Sequence, residues 1–435
     1  MKSVAFFTLG CKVNQYETEG MEELFRKHGY GVTSFDEKAD VYVINTCTVT
    51  HHGDSKSRQV IRRAKRRNPD ALVVVVGCYV QVAPDEVMAI PGVDLVVGTA
   101  EKTRIVELVE RAAESTGPVN AVKDIEEIVE FEELELEYMH EGRTRAFVKI
   151  QEGCRQFCTY CIIPYARGPL RSRDPGRIYG QVEKLVRLGY QEVVLTGIHV
   201  TSYGKDLRKN TGLIDIVKEL DKIEGLKRIR LSSLEPTYLT ERIIAEIARL
   251  DKVCRHFHLS LQSGCDETLK RMGRRYTTKE YRKTVDILRE CIPGVAITTD
   301  IMVGFPGETD EEFNITYEFL KEISLSNMHV FKYSPRKGTP AAGYKGQIQA
   351  GVKDERSSRL IELAGKCRKI FHDGFVGQEL EVLFEQESGY REGFYEGLSD
   401  NYIKVMVPGG EELKNRIRKV RLNISKEDFM EGHLA

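Results

Sequence analysis

The stretch Cys154-Arg155-Gln156-Phe157-Cys158-Thr159-Tyr160-Cys161 follows directly on an apolar, strand-like run at 146–151. Its spacing is C-x3-C-x2-C: three thiols on one loop, with no fourth nearby. Thiolates hold iron–sulfur clusters, and a four-iron cluster closed by protein alone takes four of them. Three leave one iron open for a substrate or cofactor. A structural zinc site is the alternative, although zinc favours C-x2-C pairs and four closing ligands. Downstream, strand-like runs recur at 192–196, 228–232, 256–261, 296–303 and 328–333, with helical segments such as 176–188 and 239–250 between them. With 146–151 these make six β/α units, which predict a partial, open barrel carrying the thiol loop after its first strand.

Upstream, apolar runs at 4–9, 41–45, 72–76 and 93–97 alternate with helical segments. Asn14 is a candidate cap for a helix through 16–28, Asp54 or Ser55 for one ending at Arg67, and a third spans 103–113. Strands apolar on both faces and alternating with helices predict a parallel α/β sheet. Cys11, Cys47 and Cys78 each fall one or two residues past the end of such a strand. In open α/β sheets those ends share the edge where ligands bind, so three distant cysteines can meet at one site. Three unrelated core thiols are the alternative.

Residues 124–141 carry nine acids and no Lys or Arg, which reads as an exposed boundary with an edge strand. Residues 334–347 are rich in Pro and Gly and read as a linker, followed by a helix to about 372. Short strands at 379–385, 392–398, 402–407 and 416–422 then predict a small all-β barrel. The expected organisation is an N-terminal unit at 1–122, the boundary at 123–143, the partial barrel with its trailing linker and helix at 144–372, and the β-barrel at 373–435.

The chain has 435 residues, 41% hydrophobic and 30% charged, a globular composition. No run approaches the roughly 18 apolar residues of a membrane helix, and the N-terminal run is too short for a signal peptide. A cytoplasmic protein is expected, where clustered thiols bind metal or do chemistry more often than they pair. Cys254, Cys265, Cys291 and Cys367 lack paired spacing and read as structural. The net charge is −1, so RNA binding must rest on local patches. Residues 56–67 hold seven basic side chains, with Arg58, Arg62 and Arg66 in an i, i+4 stripe. Residues 270–283 hold seven more, including Arg274 and Arg275, with Tyr276 and Tyr281 interleaved. Arg167, Arg171 and Arg173 follow the thiol loop. Arg416 and Arg418 lie in a terminal barrel whose net charge is −4. Such patches neutralise phosphates, though a solvated basic face is the plainer reading of each.

The loop 154–161, with Tyr160 before its third cysteine and six β/α units behind it, resembles the radical S-adenosylmethionine (SAM) superfamily. Thr8-Leu9-Gly10-Cys11-Lys12-Val13-Asn14-Gln15-Tyr16-Glu17, Asn45-Thr46-Cys47-Thr48-Val49-Thr50 and Val76-Gly77-Cys78 resemble the N-terminal domain of the methylthiotransferases. The order of units is similar too: that domain, a radical SAM barrel and a small TRAM β-barrel. The closest likeness is to the branch acting on N6-threonylcarbamoyladenosine in tRNA, whose sister branches act on isopentenyladenosine or on a ribosomal protein. The resemblance implies two [4Fe–4S] clusters, one on Cys154, Cys158 and Cys161 that cleaves SAM, and one on Cys11, Cys47 and Cys78 that carries the sulfur. It implies a methylthio group inserted at C2 of adenosine 37, with the tRNA anticodon arm as partner and a flavodoxin-type protein as electron donor. Neither DNA nor membrane is implied. It places SAM against Tyr160, Thr196, Gly197, Ser233, Glu235 and Val303. Ile198 and His199 replace the acid of the superfamily's Gly-Gly-Glu motif.

Overall fold

A computed structural model describes residues 2–137, 143–208 and 211–435. The N-terminal sheet contains β1 (Ser3–Thr8), β2 (Gly31–Thr33), β3 (Val41–Thr46), β4 (Leu72–Gly77), β5 (Leu95–Val97) and β6 (Val119–Asn120). Their order is β2-β1-β3-β4-β5-β6, every pair parallel. The apolar runs are explained by the pleat, which sends alternate residues to opposite faces. Tyr42, Ile44, Val73 and Val75 enter one core, and Val41, Val43, Val74 and Val76 enter the other. The strand order reverses between β1 and β3, which opens a crevice at their C-terminal ends.

Helix α1 (Lys12–Lys27) starts from Cys11, not from Asn14. The Asn14 amide instead donates to the carbonyls of Leu9 at 2.7 Å and Thr46 at 3.0 Å, tying the ends of β1 and β3 together. Helix α2 (His51–Arg67) is capped by the Thr50 hydroxyl, which accepts from the Gly53 N–H at 3.2 Å. Asp54, an expected cap, lies inside the helix.

The larger unit is built on β7 (Arg145–Glu152), β8 (Arg171–Ser172), β9 (Glu192–Gly197), β10 (Arg228–Leu231), β11 (His256–His258), β12 (Ala296–Val303) and β13 (Asn327–Lys332). Six strands run parallel in the order β7-β9-β10-β11-β12-β13, with isolated bridges spanning β10 to β11. The short β8 pairs antiparallel on the outer edge of β7. This is the expected partial barrel.

The acidic segment departs from expectation. Leu134 and Leu136 are buried in the barrel's outer core. Glu133 pairs with Arg173 at 2.7 Å and Glu135 with Lys184 at 3.2 Å, while the Tyr16 hydroxyl donates to the Leu134 carbonyl. Alternating Leu and Glu let one side enter the core while the other meets barrel cations. The segment therefore straps α1 to the barrel, and no edge strand forms among its described residues. Residues 138–142 lie outside those described.

The terminal barrel holds β14 (Glu379–Glu387), β15 (Phe394–Ser399), β16 (Lys404–Pro408), β17 (Ile417–Ser425) and β18 (Met430–Leu434). It closes in the order β14-β15-β16-β18-β17. The fifth strand, MEGHL, has little apolar alternation and was not legible in the sequence. The Asp400 turn seals the starts of β9–β11: Arg230 donates to the carbonyls of Ser399 and Asp400, and Arg255 pairs with Asp400 at 2.6 Å.

Candidate cluster sites and the arginine between them

Cys11, Cys47 and Cys78 follow β1, β3 and β4 around the crevice at the β1/β3 reversal. Two glycines permit the approach. Gly10 has φ +102° and a Cβ there would stand 2.8 Å from the Cys47 Cβ; Gly77 has φ +99° and its Cβ would stand 2.5 Å from Asn45 Oδ1. Each glycine directly precedes a cysteine, so the triad's loops can be this close only with glycine at both positions.

Arg167 connects this triad to the barrel. Its Nε donates to Cys78 Sγ at 3.2 Å, and its Nη2 to Asn14 Oδ1 at 2.6 Å. Its Nη1 lies 2.5 Å from carboxylate oxygens of both Glu17 and Glu152. Lys149 reaches Glu152 at 2.8 Å and Glu17 at 3.3 Å, and Lys102 reaches Glu17 at 3.4 Å. All five side chains are buried. Burial by itself raises the carboxyl pKa of Glu17, but Arg167, Lys102 and Lys149 outweigh it and hold that group at about 2. Arg171, also buried, stands 4.0 Å from Glu152, so four cations against two carboxylates leave excess buried positive charge near Cys78. Buried charge needs a partner, and an anionic thiolate-bound group in the crevice would supply it. The residues present fit such a group.

The second triad lies on the loop after β7. Gly153, φ +74°, lets this loop turn; a Cβ there would stand 1.8 Å from the Pro169 carbonyl oxygen. Gln151 Nε2 donates to the carbonyls of Glu152 at 2.6 Å and Gly153 at 2.7 Å. Arg274 Nη1 donates to Cys158 Sγ at 3.4 Å, and the Gln156 N–H to Cys154 Sγ at 3.4 Å. Burial pushes the Cys161 thiol up to about 12, opposed by the Ile163 N–H, and the Cys78 thiol up to about 12, opposed by Arg167. Both thiols hold their protons until a metal displaces them. Among the described residues no three Cys, His, Asp or Glu side chains are drawn tight enough to enclose a single ion. The fit to a metal group therefore rests on the cations and N–H donors aimed at the sulfurs. Gly153→Ala is expected to displace the loop and lower reconstituted iron by about four atoms per chain with wild-type circular dichroism. Unchanged iron would show that the loop adapts.

Around this loop, the Glu235 carboxylate is held by Arg274 at 2.5 Å and His199 at 3.6 Å. A Cβ at Gly197 would stand 2.8 Å from the Gln151 carbonyl oxygen, so close packing demands glycine. Thr196 is buried, Ser233 is exposed into an interior cavity, and Tyr160 packs edge-on against Phe305. Val303 has its side chain in the barrel's outer core, and its carbonyl accepts from the Tyr333 N–H. Its side chain is thus withdrawn from the expected SAM wall.

Two arginines expected to face RNA lie inside the protein. Arg167 is fully buried, and the Arg274 side chain, 7% exposed, serves Cys158 and Glu235. Arg171 and Arg173 are buried as well. Charge density in a sequence does not distinguish a solvated cation from one consumed by an interior carboxylate. Arg62, Arg66, Arg275, Arg416 and Arg418 are exposed, and Arg58 is half-buried against the Tyr79 hydroxyl at 2.8 Å and Glu86 at 3.3 Å. Cys254, Cys265 and Cys367 are buried and Cys291 is exposed. The sequence reading missed Glu17, Lys149 and Glu152. For Lys149 and Glu152 the available signal was a charged residue on or beside a strand otherwise read as buried; Glu17, on α1, carried no such signal.

A barrel of six β/α units with a three-cysteine loop after its first strand defines the radical SAM class, and residues 148–320 match the radical SAM superfamily. Residues 3–98 match the uncharacterized protein family UPF0004. The chain is 47% identical to threonylcarbamoyladenosine tRNA methylthiotransferase MtaB of Bacillus subtilis, across 100% of this chain and 97% of that protein. It is 43% identical to the protein of the same name from Aquifex aeolicus, across 95% and 99%. The tRNA-2-methylthio-N(6)-dimethylallyladenosine synthase of Moorella thermoacetica is 37% identical across 100% and 98%. The chain belongs to the radical SAM tRNA methylthiotransferases, in the branch of the MtaB proteins. Its fold is shared with the radical SAM methyltransferase TsrM of Kitasatospora setae, solved with cobalamin and a [4Fe–4S] cluster, at TM-score 0.60 and 16% identity over 79% of this chain and 77% of that one. The closed five-stranded barrel is consistent with a TRAM domain. Among the described residues no helix is long and apolar enough to cross a membrane.

Proposed function

We propose that this chain inserts a methylthio group at C2 of N6-threonylcarbamoyladenosine 37 in tRNA, using SAM and a [4Fe–4S] cluster on each cysteine triad. The observation that carries the reading is the pair of triads, each with an arginine aimed at one of its sulfurs. When bound, the clusters and SAM supply the radical chemistry that an unactivated adenine C2–H bond requires. The protein's own residues bind and orient. Arg274 places positive charge at Cys158, and Arg167 does so at Cys78. Tyr160, Thr196, Gly197, Ser233 and Glu235 form the proposed SAM wall, with His199 and Arg274 fixing the Glu235 carboxylate. The adenine must leave the anticodon-loop stack to reach the site. The exposed arginines 62, 66, 275, 416 and 418 are the proposed phosphate contacts. A flavodoxin-type donor in the cytoplasm completes the reading.

Mass spectrometry of tRNA nucleosides from strains with and without the gene tests it. Loss of the 2-methylthio form, with threonylcarbamoyladenosine accumulating, is the expected result; unchanged nucleosides would refute it. Arg62→Glu with Arg66→Glu is expected to weaken tRNA binding about tenfold and to lower the slope of log K against log salt by about 1 per lost phosphate contact. An unchanged slope would place the RNA elsewhere.

A further inference from the structure

Between the partial barrel and the terminal barrel, bordered by the turn 399–402, lies a cavity of about 600 Å³. That volume suits a small-molecule or nucleobase ligand. Its wall is rich in charge, and each of its carboxylates has a partner. Asp300 meets His258 at 3.4 Å and Glu385 meets Arg145 at 2.7 Å. Glu396 meets Lys404 at 3.5 Å and Asp428 meets Arg368 at 2.6 Å. Every carboxylate in the wall is thus engaged. Lys12 also lines the cavity, half-buried, and makes no ion pair or hydrogen bond among the described residues. A half-buried ammonium surrounded by satisfied acids is a site for an anion brought from outside.

Two further observations connect that anion with the proposed reaction site. Lys12 follows Cys11 directly, so the first turn of α1 carries both the first cysteine of the triad and the cavity's lysine. Ser233, at the proposed SAM wall, lines the same cavity. The facing wall is also fixed. Tyr402, at φ +68°, stacks on His256 with ring centroids 4.4 Å apart and carries the Arg230 guanidinium over its ring at 4.9 Å. A tyrosine held in the left-handed region costs energy and persists where its surroundings fix it.

The geometry points to Lys12 as the residue that binds the carboxylate of the substrate's threonylcarbamoyl group, and so as the determinant that selects this base over one with a neutral N6 substituent. This rests on the function proposed above. A carboxylate on Lys12 also fixes how far the adenine ring stands from Cys11, making Lys12 a positioning residue as well as a selective one.

The test measures binding of anticodon stem-loops to the anaerobically reconstituted enzyme by fluorescence anisotropy. Three stem-loops are used: with threonylcarbamoyladenosine, with its carboxylate converted to the neutral carboxamide, and with plain adenosine. Wild type is expected to bind the carboxamide about 10–100-fold more weakly than the acid, the range of a charge-assisted hydrogen bond. Lys12→Gln is expected to bind acid and carboxamide alike, Lys12→Arg to recover most of the preference, and both to keep wild-type iron content and KM for SAM. The inference is overturned if wild type does not distinguish acid from carboxamide, or if Lys12→Gln distinguishes them as wild type does. Equal weakening on all three stem-loops would make Lys12 a phosphate contact, and a shift confined to the KM for SAM would make it a SAM contact; either overturns it. If wild type neither prefers nor methylthiolates threonylcarbamoyladenosine, the proposed function fails instead, which is a separate outcome.

Discussion

Cys154→Ala is expected to abolish SAM cleavage altogether, whereas Cys11→Ala is expected to leave cleavage intact and abolish methylthio transfer. The split follows from the two triads occupying different units. Cys154, Cys158 and Cys161 sit on a single loop after β7, braced by Gln151 and Arg274. Cys11, Cys47 and Cys78 come from three loops of another sheet. Each variant should lose about four of about eight iron atoms per chain, and turnover of tRNA should fall below detection in both. The assay is 5′-deoxyadenosine release beside nucleoside mass spectrometry under anaerobic reduction. Methylthiolated tRNA from Cys11→Ala would remove the first triad from the reaction. Loss of cleavage in Cys11→Ala would show instead that the two units act as one.

Arg167→Met is expected to destabilise the protein by about 3–5 kcal/mol, the cost of removing one partner from a buried ion network. The variant leaves Glu17 with Lys149 and Lys102, and Glu152 with Lys149 and the more distant Arg171, and withdraws the donor from Cys78. The expected signature is joint: a lower unfolding midpoint and about four fewer iron atoms, both from one substitution 89 residues from Cys78. Arg167→Lys should recover little, because a single ammonium cannot reach a sulfur, an amide oxygen and two carboxylates together. The same network gives an acid limb. Glu17 is held at about 2 against a free value of 4.5, so its contribution is complete above about pH 4.5 and is lost as pH falls toward 2. Denaturant titrations from pH 7 to 3 read both effects. A variant as stable as wild type, with full iron, would show that the network carries neither role.

The sequence by itself determined most of the elements and singled out the two cysteine triads. Alternating apolar runs and helices fixed a parallel sheet and six β/α units, because burial on both faces leaves no polar periodicity. The two triads were legible for different reasons. The second has local spacing. The first is scattered, and was legible because strand ends in such sheets share one edge and because its flanking motifs resemble the methylthiotransferases; the close approach that Gly10 and Gly77 permit came from the structure. The MEGHL strand was not legible, because its pairing with β16 and β17 outweighs a weak local pattern.

Only the tertiary structure decided which charges are used inside and which are left over. Arg167 and Arg274 stand in basic runs, yet both serve interior carboxylates and cysteine sulfurs. Lys12 looks like an ordinary lysine in the first turn of a helix, yet it lines a cavity and makes no ion pair or hydrogen bond among the described residues. Local sequence records that a side chain is charged. Whether that charge meets water, a buried carboxylate or an empty space depends on partners distant in sequence, such as Glu17 for Arg167 and Cys158 for Arg274, and only folding brings them together.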